Sequence, residues 1–171
     1  MEGPEINIKV VTDSTSYIPK DMIDKYDISV ISLGVSFPEE SCRELDIDNS
    51  TFYERMSRCK SIPTSSQPSI KEVTDIFERI ASDGSQAVGI FLSSKMSGTY
   101  SSTFLARDMV KEKYPDAVIE LLDSTSNCMQ LGFAVLAAAK AAYEGASIDT
   151  VIGEAKDVIE KSRFLFVPDT L

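Results

Sequence analysis

The 171-residue chain is 43% apolar and 26% charged, the balance of one globular domain with a real core. Its 17 basic and 27 acidic residues leave a net charge of −10, which opposes the phosphate contacts that drive nucleic-acid and anionic-membrane binding. Histidine is absent, and Cys42, Cys59 and Cys128 form no close pair, so a zinc site lacks ligands and reduced, cytoplasmic thiols are the expectation.

In chain order, Met1 to Glu5 lacks the basic and apolar regions of a signal peptide. Ile8 to Thr12 reads as a strand stopping at Asp13, followed by a polar turn and a helix over Ile18 to Tyr26 behind Pro19. Ile28 to Phe37 predicts a second strand ending near Pro38 and an acidic loop. Thr51-x-x-Glu54 and Ser69-x-x-Glu72 predict capped helices through Arg58 and Ile80, which places Pro63 to Ser69 in a loop between helices. Gln86 to Leu92 and Val118 to Leu122 read as buried parallel strands, with a helix from Gly98 to Lys113 between them. Leu131 to Tyr143 predicts an alanine-rich helix ended by Gly145, too short and too interrupted by Lys140 to span a membrane. Ser147 caps a helix to about Lys161, and Arg163 to Val167 opens one more strand. The alternation predicts an α/β fold: a doubly wound, mainly parallel sheet with helices on both faces.

Four stretches are dense in hydroxyls and nearly free of cations: Thr12 to Ser16, Pro63 to Ser69, Ser93 to Thr99 and Asp123 to Ser126. Three follow apolar β-branched runs, so they should gather at the carboxyl edge of the sheet, where ligands bind. A cation-free cluster suits the carboxyl of a largely apolar ligand better than a multiply charged phosphate. Taken alone, Ser97 is more simply a cap for the helix after Gly98, and what favours a ligand role is the meeting of several such clusters at one edge. Val11-Thr12-Asp13-Ser14-Thr15 invites an aspartate phosphotransferase reading centred on Asp13, but the acid–base position two residues on is Thr15. Asp13 or Ser14 as a helix cap is the simpler role. No Walker loop or Gly-x-Gly-x-x-Gly turn is present, and without histidine a serine nucleophile lacks its usual base.

The segments Ser65-Ser66-Gln67-Pro68-Ser69 and Ser93-Ser94-Lys95-Met96-Ser97-Gly98-Thr99-Tyr100 resemble the signature of the DegV family of bacterial lipid-binding proteins. Val11 to Thr15 and Leu122-Asp123-Ser124 resemble two further family segments in the same order. The resemblance implies a non-enzymatic protein, without cofactor or metal, that binds a long-chain fatty acid and presents it to a separate fatty acid kinase for acyl phosphate formation. It implies that Ser65, at a position where threonine is usual, and Ser94 or its neighbour Ser93 hold the carboxyl group. Ser66, Ser97, Asp13 and Ser14 would support the pocket. It also implies that residues 1–171 are the first α/β domain, and that the second, which in the family follows a segment like Phe166 to Leu171, is absent from this chain. A non-catalytic structural or regulatory module is the remaining alternative.

Overall fold

A computed structural model of the chain describes residues 7–165 and 167. In order, strand β1 (Ile8–Asp13) leads through a 3-10 turn (Ser14–Ser16) into helix α1 (Lys20–Tyr26), followed by β2 (Ser29–Ile31), β3 (Gly34–Ser36) and β4 (Ser41–Arg43). A second 3-10 turn (Glu44–Asp46), α2 (Asn49–Arg58), β5 (Thr64–Ser66) and α3 (Ile70–Ser82) follow. The rest is β6 (Gln86–Phe91), α4 (Thr99–Lys113), β7 (Ile119–Asp123), α5 (Cys128–Tyr143) and α6 (Ile148–Lys161).

The main sheet is wholly parallel, in the order β2-β1-β6-β7, as the alternation predicts. Side-chain alternation divides its strands between two cores. Val10, Val88, Ile90 and Leu92 pack against α1, α5 and α6, and Val11, Ala87 and Phe91 pack against α3 and α4 through Val73, Phe77 and Val110. Burial on both faces is why β1 and β6 read as nearly unbroken apolar runs. From β1 the chain moves first to β2 on one side and later to β6 on the other. The carboxyl ends of β1 and β6 therefore form a topological switch point, where α/β sheets bind ligands.

A second sheet, antiparallel and ordered β4-β3-β5, corrects two expectations. Ile28 to Phe37 is not one strand: it breaks at buried Ser32 and Leu33, whose backbone groups turn to partners outside either sheet. Ser32 N–H donates to Glu72 (3.3 Å), Leu33 N–H to Ser14 Oγ (3.0 Å), and Leu33 C=O accepts from Glu44 N–H (2.8 Å). The segment Pro63 to Ser69 is not all loop, because Thr64–Ser66 pairs with β3.

Caps explain most helix boundaries. Ser69 Oγ accepts from Glu72 N–H (3.2 Å), whereas Glu72 turns away to Arg43, so only half of that capping box forms. Asp48, not Thr51, caps α2: its Oδ1 accepts from Thr51 N–H (3.0 Å), and the helix begins earlier than the Thr51–Glu54 pattern suggests. Gly145, at φ +79°, ends α5 with bonds from Gly145 N–H to Ala142 and from Ala146 N–H to Ala141, both 3.0 Å. Ser147 caps α6. The strand expected at Arg163 to Val167 is not seen among the described residues there; Phe166 and the segment from Pro168 to Leu171 lie outside them.

Candidate functional site

A cleft of about 1190 Å³ opens over the switch point, between the main sheet's carboxyl edge and the small sheet. Ser14, Thr15 and Ser16 after β1, and Met96, Ser97 and Gly98 after β6, contribute to its wall. Ser65, Ser66 and Gln67 enter from β5 and the residue beyond it. Apolar lining comes from Ile18, Val30, Leu33, Val35, Phe52 and Leu92. Three of the four hydroxyl-rich stretches thus meet in one cavity. The fourth reaches it only through the following residue, Asn127, whose Oδ1 accepts from Cys128 N–H (2.8 Å).

The seven residues singled out in the sequence divide into two groups. Ser14, Ser65, Ser66 and Ser97 line the cleft; Asp13, Ser93 and Ser94 do not. Ser65 and Ser66 are exposed, and neither hydroxyl has a protein partner among the described residues. Ser66 Oγ lies over Gly34, where a β-carbon would occupy its place. Ser97 Oγ accepts from Thr99 N–H (3.2 Å) at the start of α4 and lies 3.0 Å from Thr99 Oγ1. Ser93 is buried, with its Oγ accepting from Lys95 N–H (3.2 Å), and exposed Ser94 donates its N–H to Asp123 (3.2 Å). Those bonds form the turn that carries Met96 and Ser97 to the wall.

Asp13 is fully buried at the end of β1. Its Oδ1 accepts from Thr15 N–H (3.0 Å) and Thr15 Oγ1 (2.5 Å), and its Oδ2 from Leu92 N–H (2.8 Å). The carboxylate caps the 3-10 turn and continues the β1–β6 pairing one step past the strand ends. Desolvation raises its pKa above the usual value, against the lowering effect of those hydrogen bonds. Both oxygens are committed and neither faces the cleft, an arrangement suited to a structural clamp. Ser14 plays no capping part: its Oγ accepts from Leu33 N–H and donates to Glu44 Oε2 (2.5 Å), joining the sheets.

The sequence reading passed over Glu44, Tyr17 and the aromatic pair Phe52 and Tyr53, all of which line the cleft. Glu44 Oε1 accepts from the Tyr17 phenol (2.9 Å), and Tyr17 itself has φ 48°, a left-handed conformation unusual for a bulky residue. Glu44 is the sole charged residue among the lining residues. Among the described residues, no group of three or more potential metal ligands clusters anywhere, and no helix is long and apolar enough to cross a membrane.

Comparison with known proteins agrees with the geometry. A DegV domain-containing protein of Clostridium acetobutylicum is 54% identical over 164 residues, which cover 96% of this chain and 57% of that protein. The crystal structure of DegV, a fatty acid binding protein from Bacillus subtilis, superposes with a TM-score of 0.83 at 37% identity, over 91% of this chain and 54% of that one. A stearic acid-binding protein from Eubacterium ventriosum gives a TM-score of 0.80 at 28% identity, over 87% of this chain and 52% of that one. The chain thus spans about half the length of the proteins it matches. The model of the uncharacterised DegV family matches residues 7–171, and the chain belongs to that family.

Proposed function

We propose that this chain binds a long-chain fatty acid in the switch-point cleft and presents it to a separate fatty acid kinase, without catalysing the transfer itself. One observation carries the reading: unpartnered hydroxyls of Ser65 and Ser66 share a cation-free cleft with Ser97, whose other lining includes a run of apolar side chains such as Ile18, Val30, Leu33 and Phe52 beside polar ones such as Thr15 and Asn49. At about 1190 Å³ the cleft exceeds the roughly 300–1,000 Å³ usual for small-molecule sites, leaving room for a long acyl chain. Burial contributes about 0.8 kcal/mol per methylene, so a long acyl tail supplies more binding energy than any one head-group hydrogen bond, at about 0.5–1.5 kcal/mol. Tail burial therefore sets affinity, and the hydroxyls set orientation. That relatives of known structure bind fatty acids, stearic acid in one case, supports the same reading.

Ser65, Ser66 and Ser97 are assigned the carboxyl contacts, Ser93 and Ser94 the turn behind them, Ser14 a place in the wall, and Asp13 the clamp that holds the 3-10 turn. Native mass spectrometry of the chain incubated with stearic acid should detect a one-to-one complex. Ser65→Ala should weaken binding by about 0.5–1.5 kcal/mol, the worth of one head-group hydrogen bond. Ser94→Ala should act less than Ser97→Ala, and the reverse order would return the second contact to Ser94. With ATP and stearate alone the chain should form no acyl phosphate, whereas adding a fatty acid kinase should produce it. Absence of any lipid complex would overturn the reading.

A further inference from the structure

We propose that Ser16 and Thr12 form a second polar station in the cleft, one that selects acyl chains carrying a hydroxyl group away from the carboxyl end; this deepens the lipid reading above and rests on it. Among the described residues every other buried polar side chain has a hydrogen-bond partner. Thr12 Oγ1 has none, and nothing bonds the Ser16 hydroxyl. Thr12 is 0% exposed and Ser16 only 1%, yet Ser16 lines the cleft. A hydroxyl withdrawn from water and left unpaired is costly, and Thr12→Val or Ser16→Ala would remove that cost with little change of shape. Two such hydroxyls at one strand end point to a polar group on the guest.

Placement separates this pair from the head-group hydroxyls. Ser97 precedes α4, which covers one face of the main sheet with α3, and Ser65 and Ser66 stand on the small sheet. Ser16 lies toward the other face: its carbonyl abuts Gly132 of α5, where a β-carbon would come within 2.6 Å of it. Thr12 pairs in register with Val30 and Ile90, whose side chains belong to the core beneath α1 and α5. The cleft-lining residues Ile18, Ile23, Val30 and Leu92 come from that same core, so the two hydroxyls and an apolar arm of the cleft share one side of the strand ends. A chain anchored by its carboxyl at Ser65 and Ser97 passes Ser16 as it enters that arm. Helix α1, packed over the arm, buries none of its own residues and has no side-chain cap, so it yields to an incoming chain at low cost.

A hydroxyl both donates and accepts, so an alcohol on the chain and the serine satisfy each other in one bond. A methylene at the same place leaves the serine unpaired. One hydrogen bond of this kind changes affinity by about 2- to 12-fold.

Displacement of a fluorescent fatty acid at pH 7.5 compares stearic, 2-hydroxystearic, 10-hydroxystearic and 12-hydroxystearic acids on the unaltered chain and on Ser16→Ala, Thr12→Val and Ser97→Ala. At least one of the 10- and 12-hydroxy acids should bind about threefold or more tighter than stearic acid. The 2-hydroxy acid, whose hydroxyl stays beside the carboxyl, should show no such gain. Ser16→Ala should reverse the order, because it strands the hydroxyl of the ligand, and Thr12→Val should narrow the preference. Ser97→Ala acts at the carboxyl and should weaken all four acids alike, preserving the ratios. Stearic acid binding as tightly as both mid-chain acids, or ratios unchanged in both Ser16→Ala and Thr12→Val, would overturn the inference while leaving the lipid reading standing. Failure of all four acids to bind the unaltered chain would overturn both.

Discussion

The two sheets of this molecule are built on opposite terms. In the parallel sheet, β6 is buried from Ala87 through Phe91, and Phe77 of α3 beneath it is 0% exposed. In the antiparallel sheet, β5 is exposed throughout, β4 is exposed at both ends, and no strand residue is buried. One is a platform held by apolar burial. The other is a wall held by a few polar ties: Ser14 to Leu33 and Glu44, Ser32 Oγ to Leu45 N–H (3.1 Å), and Arg43 to Glu72. Stability is unevenly distributed in such a structure, and ligand contacts tend to fall on its weaker part. The cleft takes hydroxyls from both.

The largest expected effect tests the platform. Phe77→Ala should cost about 3–5 kcal/mol, since it removes a fully buried ring from the core shared by β1, β6, α3 and α4. Urea denaturation measures the change. A loss below about 1 kcal/mol would mean that the parallel sheet is not where stability resides.

A smaller effect tests the joint between the strand ends. Asp13 receives three donors, from Thr15 N–H, Thr15 Oγ1 and Leu92 N–H, and Asn offers one acceptor oxygen for them. Asp13→Asn also relieves a buried charge, so the two effects oppose each other and a net loss of about 1 kcal/mol is expected at pH 7. The pH profile separates them. With a native pKa above 3.8, the folded state holds more protons than the unfolded state between that value and the native one. Asp13's contribution is therefore fully present below 3.8 and is lost as pH rises through the native pKa. Denaturation across mildly acidic pH should show this decline in the unaltered chain and a flatter profile in the Asn variant.

How much was legible in the sequence follows the same division. The parallel sheet announced itself because β-branched runs buried on both faces look the same in sequence as in space. The small sheet did not, because its strands are three residues each and β5 is Thr64-Ser65-Ser66, which carries no burial pattern. The break at Ser32 and Leu33 was invisible for a related reason: their backbone partners lie at Glu72 and Ser14, 40 and 19 residues away. Hydroxyl clustering located the cleft, since runs after parallel strands must reach one edge. It did not distinguish Ser97, which faces the cleft, from Ser93 and Ser94, because a tight turn decides which hydroxyl points where. Glu44 was one acid among many scattered ones. Only its bonds to Ser14 and Tyr17, 30 and 27 residues distant, set it apart.

The smallest effect on stability should accompany the clearest effect on the wall. Gly98 has φ −75° and ψ 0°, a conformation open to any residue, so Ala there introduces no backbone strain. Ala is a clearly poorer helix N-cap than Gly, and the loss should be about 1 kcal/mol or less. Space is the issue: a β-carbon on Gly98 would overlap the side-chain amide of Gln67, which directly follows β5. Because that amide is the end of a flexible side chain, it yields before the helix does, and the displacement passes to Ser65 and Ser66. Hydrogen exchange should therefore quicken at residues 64–67 in Gly98→Ala, while β6 and α4 keep wild-type protection and stearic acid affinity falls. Unchanged exchange at residues 64–67 would mean that the amide re-seats without moving the strand, and that the polar ties beside Ser14 alone hold the wall.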